Sequence, residues 1–114
     1  MSSFEVFHAD KNYTQSRVKN INANKIQQYL WSILSQEIRY VVIKKNFGIR
    51  MWGDSRTPSF DENVDLKYKV ILLTSWNSIF EEKQFDDKLI TIEYVLKKIY
   101  DNNVKKAIIL KKSF

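Results

Sequence analysis

The sequence predicts an α+β fold in which two or three helices pack on one face of a mostly antiparallel sheet of about four to five strands. Three observations carry this expectation. Apolar residues recur at helical spacing in two stretches, while β-branched and aromatic residues crowd into shorter-period segments around them. The length, 114 residues with 44% hydrophobic content, suits one core, so residues 1–114 are read as a single domain. The expected order is β-α-β-β-β-α-α-β.

In residues 3–7, Phe4 and Val6 alternate with Ser3, Glu5 and Phe7, which reads as a short edge strand. Polar residues 10–20 read as loop. The clearest helix follows: Ile26, Tyr29, Leu30, Ile33 and Leu34 fall at spacings of three and four, with Asn22 or Asn24 placed to cap its start. From Ile38 the period shortens through Tyr40, Val41, Val42 and Ile43, as in a strand. A polar break turns the chain near Lys45 and Asn46, and residues 49–52 alternate again, so an antiparallel hairpin is expected. Residues 53–65, with the only proline (Pro58), read as one long loop.

Residues 66–76 form the strongest strand, apolar on both faces from Val70 to Leu73 and therefore interior to the sheet. Asn77 and Ser78 followed by Glu81 resemble a capping box opening a short helix with Ile79 and Phe80 inward. A further helix begins near Thr91, carries Ile92, Val95, Leu96 and Ile99 on one face, and stops at Asn102 and Asn103. Residues 104–110 form a last strand before Lys111 and Lys112.

Composition removes whole classes of chemistry. Zero cysteines exclude disulfides, a thiolate nucleophile and zinc–thiolate sites, and fit a reducing compartment; a cytoplasmic location, of a cell or its host, is expected. Two glycines, Gly48 and Gly53, are too few for a phosphate-cradling loop. No apolar run approaches the about 18 residues of a membrane span, and the first ten residues lack the pattern of a signal peptide. No membrane partner, cofactor or structural metal is expected, and the whole chain reads as mature protein.

The net charge of +6 points toward an anionic partner. That pointer is weakened by codon composition: Phe, Tyr, Met, Ile, Asn and Lys make up 52 of the residues, and lysine outnumbers arginine 15 to 4. An AT-rich genome generates such basicity without selection for binding. Charge is also segregated, with residues 1–53 at +5, 54–93 at −4 and 94–114 at +5. If these segments keep separate surfaces, the dipolar molecule favours orientation on a protein partner. The plainer reading is pairing across the surface.

His8, the only histidine, has no orienting partner in its neighbourhood and reads as exposed or at a strand edge. Asp54, Asp65 and Lys67 stand in the order of metal-dependent nucleases of the Asp...(Asp/Glu)-x-Lys class, with Glu37 as a further ligand. The helix, three strands, helix, strand order also resembles that superfamily. The resemblance implies Mg²⁺ held by the acids and water positioned for phosphodiester attack. The chain lacks the Pro-Asp turn, and the acid precedes the apolar run instead of lying within it. On balance the chain reads as non-enzymatic.

The hairpin gathers Lys44, Lys45, Phe47, Arg50, Trp52 and Arg56 within thirteen residues. Cations beside stackable rings suit single-stranded nucleic acid. Alternation turns Phe47 inward and leaves Arg50, Trp52 and the turn lysines as a surface patch. The pairs Lys97-Lys98 and Lys105-Lys106 bracket Tyr100; they read either as a second basic face or, preferentially, as lysines guarding a terminal edge strand. The leading expectation is a small binding protein that docks on another protein, in the manner of inhibitors, immunity proteins or viral and phage counter-defence proteins. Trp52 and Trp76 are its candidate anchors. The alternative is a nucleic-acid-binding module using Lys44, Lys45, Arg50, Trp52 and Arg56.

Overall fold

The computed structural model describes residues 3–45, 66–74 and 78–112. These contain six strands and two helices in the order β1 (Ser3–Asp10), β2 (Lys19–Asn22), α1 (Ile26–Leu34), β3 (Ile38–Lys45), β4 (Tyr68–Leu73), β5 (Ile79–Phe85), α2 (Lys88–Lys98) and β6 (Lys106–Lys111). All strands join one sheet in the order β2-β1-β3-β6-β4-β5, and every neighbouring pair is antiparallel. The α+β class stands, with one strand more than the sequence predicts and no third helix among the described residues.

The first departure lies at the start. Asp10 Oδ1 accepts the N–H groups of Asn12 and Thr14 at 2.8 and 3.0 Å, and Tyr13 takes φ 63°, a left-handed position. The chain therefore reverses, and part of the stretch expected to be loop returns as β2. Residues 3–7 are consequently not an edge: β1 extends to Asp10 between β2 and β3.

Both flanks of β3 are taken, by β1 and by β6. The hairpin partner expected from residues 49–52 lies outside the described residues, and the neighbour of β3 is not the next described strand, β4. Instead β6 enters between β3 and β4, its Ala107 opposite Ile43 on one side and Leu72 on the other.

The expected short helix near Ser78 is a strand. Ile79 and Phe80 are adjacent, without apolar partners three or four positions on, so no helical stripe exists to bury; pairing with β4, from Tyr68 opposite Phe85 to Leu73 opposite Ile79, wins instead. A bulge falls between Leu72 and Leu73. The true cap is Asp87, whose Oδ1 accepts the Ile90 N–H at 2.9 Å and starts α2 just before the stripe read from the sequence. At α1 the cap position is Lys25, with no side-chain bond, so neither Asn22 nor Asn24 serves there.

Both helices lie on one face. Ile26, Leu30, Ile33 and Leu34 of α1 and Ile92, Val95 and Ile99 at α2 join Val6, Val41, Ile43, Val70, Leu72 and Ile109 in the main core. On the opposite face Ala9, Tyr40, Val42, Leu73, Ile108 and Leu110 form a second buried cluster. No described helix is long and apolar enough to cross a membrane.

Candidate functional site

Of the six expected partner-binding residues, Arg50, Trp52, Arg56 and Trp76 lie outside the described residues. Lys44 and Lys45 lie inside, and they do not form the surface pair expected of turn lysines. Both belong to β3, and consecutive strand residues face opposite sides of a sheet. Lys44 is only 6% exposed, on the face away from the helices, in register with Glu5 of β1 and Lys106 of β6. Lys45 faces the helices. Its Nζ donates to the Asp101 carbonyl at 2.6 Å, and burial, followed by the charge of Lys105, holds its pKa below the usual lysine range against the opposing pull of Asp101.

Asp54, Asp61, Glu62 and Asp65 also lie outside the described residues. Lys67 is exposed, and its backbone N–H donates to Asp86 Oδ1 at 3.1 Å. Glu37 pairs with Lys11 at 3.6 Å on the surface. Among the described residues no group of three or more histidines, aspartates and glutamates gathers as a metal would need.

His8 is neither exposed nor at an edge. It sits half-buried in β1 opposite Val41, its backbone bonded to Ser16, and its Nδ1 is buried with no hydrogen-bond partner among the described residues. The interior place of β1 is the reason.

Among the described residues, two surface regions each combine cations with aromatic rings and hydrogen-bonded partners. At the β5 edge, the Tyr94 hydroxyl donates to Glu81 Oε2, and Lys98 Nζ approaches the same oxygen at 3.5 Å. Lys83 stands 5.5 Å from the Tyr94 ring centroid and 5.8 Å from that of Phe85. Burial first, then the Glu81 carboxylate, raises the Tyr94 phenol pKa, while the bond from Tyr94 lowers that of Glu81. On the opposite face of the sheet, Lys69 pairs with Glu82 at 3.7 Å. Lys98 and Glu81 come from segments of opposite sign and meet at this edge. β5 pairs only with β4 among the described residues, and at its start Ile79 is 60% and Phe80 41% exposed.

The second region is the sheet end where β3 finishes and β6 begins. Phe4, buried, lies opposite Lys45 in the β1–β3 ladder and meets Tyr100 in a T-shaped contact, centroids 5.9 Å apart at 75°. Tyr100 remains 55% exposed. Lys45 N–H donates to the Lys105 carbonyl at 3.3 Å, tying both lysines to this corner. The reading of Lys105 and Lys106 as edge guards fails, because β6 is an interior strand with partners on both sides.

Sequence reasoning missed the β5 edge because Asn77, Ser78 and Glu81 imitate a helix start. Its available signal was the run Glu81, Glu82, Lys83 and Gln84, polar on both faces, as a strand at the margin of a sheet permits. No protein-family model, curated protein or solved structure matches the chain.

Proposed function

We propose that this is a small non-enzymatic binding protein that docks on another protein through the margin of its sheet at β5. The observation that carries the reading is the exposure of Ile79 and Phe80 on a strand paired on one flank only among the described residues. Such a strand offers backbone donors and acceptors to an extended segment of a partner, and adjacent apolar side chains add contact area. Glu81, held by Tyr94 and Lys98, lies in the middle of that strand with little freedom left to lose on binding. The bulge between Leu72 and Leu73 and the charge of Lys83 discourage indiscriminate edge pairing, which suits a selective partner.

Affinity capture from the native host, followed by comparison with Ile79→Lys and Phe80→Lys, tests the reading. A protein retained by the parent and lost by folded variants is expected. Equal retention by the variants, or recovery of nucleic acid without protein, refutes it.

A further inference from the structure

We propose that the corner formed by Tyr100, Lys45, Lys105 and Lys97 is a binding surface for single-stranded nucleic acid, separate from the β5 margin. Lysines flanking a final strand ordinarily keep an open edge from pairing, but β6 has no open edge: β3 and β4 occupy both its sides. Guarding an edge is therefore not what Lys105 and Lys106 do here.

The corner has a built form. Phe4 lies buried beneath it; Tyr100 rests against that ring through the T-shaped contact, and Lys45 is its register partner across the ladder. Tyr100 is thus an aromatic ring fixed from within while more than half its surface meets solvent. Lys45 is fixed as well, by its 2.6 Å bond to the carbonyl of Asp101, the residue after Tyr100. Lys105 follows four residues later and hydrogen-bonds the Lys45 backbone, and exposed Lys97 stands in the last turn of α2, just before Tyr100. Lys45 and Lys105 are close enough for each charge to act on the other, with Asp101 as the opposing charge, so the corner brings two ammonium groups within reach of one ligand.

A fixed, solvent-facing ring amid cations matches the chemistry of an unpaired strand. A base stacks on the ring, and the phosphates on either side meet ammonium groups. A duplex hides its base faces and offers this ring nothing. The charge at this corner is supplied by lysines, which hold phosphate as point charges and do not read base edges, so little sequence preference follows.

The test is fluorescence anisotropy with the full chain and a labelled oligothymidine of about 15 nucleotides, near the upper site size of small single-strand binders. Binding is expected at about 50 mM salt, with affinity falling as salt rises. Tyr100→Ala should weaken it about 5- to 150-fold with the salt slope unchanged, and Tyr100→Trp should restore it. Lys45→Gln and Lys105→Gln should each reduce the slope by about 0.7. Thermal melts identify folded variants, and Tyr100→Trp serves where Tyr100→Ala does not fold. Absence of binding, equal or tighter binding of a duplex of the same length, or unaltered affinity in folded Tyr100→Ala overturns the proposal.

Discussion

β6 and β5 are both antiparallel strands flanking β4, yet they are made of different material. β6 carries Ala107, Ile108, Ile109 and Leu110 in succession, all buried, because helices cover one side and the second apolar cluster lies on the other. β5 carries Glu81, Glu82, Lys83 and Gln84 at its centre, where β6 tolerates no charge. An interior strand must satisfy two faces at once, whereas a marginal strand answers mainly to the ladder on one side. Position in the sheet, more than position in the chain, decides what a strand contains.

The largest expected effect lies in β6. Ile109→Ala removes a fully buried side chain from the main core and should cost about 2–5 kcal/mol, read as a lower urea midpoint at unchanged slope. A loss comparable to that of a surface substitution would break the contrast.

A smaller effect tests interior placement in β1. Burial, then Lys19, holds the His8 pKa below its usual 6.5 against the pull of Asp10. On acidification the unfolded chain therefore takes up a proton at a pH where the native imidazole still refuses it. The stability contributed by neutral His8 is complete above about pH 6.5 and is lost as the pH falls toward the lowered native value, beyond which the loss stops growing. Thermal melts between about pH 7.5 and 5 should show this decline, and His8→Leu should flatten that part of the profile. An identical slope in His8→Leu would mean that the buried Nδ1 has no energetic consequence.

The smallest effect belongs to β5. Lys83→Thr exchanges an exposed charge for a strand-favouring residue at the margin and should change stability by no more than about 0.5 kcal/mol in either direction. A loss matching that of Ile109→Ala would erase the distinction between the two strands.

This contrast also explains what the sequence could convey. Apolar runs declared strands at Val41 to Ile43, Val70 to Leu73 and Ala107 to Leu110, and the stripe of α1 was equally legible; of the three only Val70 to Leu73 was read as interior, and the last strand was taken for an edge. The margins were not legible. β2 has no buried residue over Lys19–Asn22, so nothing in its composition separates it from loop; it exists because Asp10 turns the chain back onto β1. β5 was obscured by a local imitation of a helix cap, and its identity depended on a partner strand that no short window contains. The candidate surface followed the same rule. Lys44 and Lys45 were visible as cations, but their separation onto two faces, and the bond of Lys45 to the Asp101 carbonyl beside Tyr100, arise from ladder register and tertiary contact.

The central place of β6 carries a consequence for the order of assembly. β1, β2 and β3 can pair among themselves, and so can β4 and β5, but among the described residues the two groups touch through the sheet only by way of residues 106–111. These follow both groups in the chain. Until they appear, each half presents a long, unpaired and apolar flank, the condition under which chains associate wrongly. β6 thus acts as a keystone, and topology alone postpones closure of the sheet until residues 106–111 have been made.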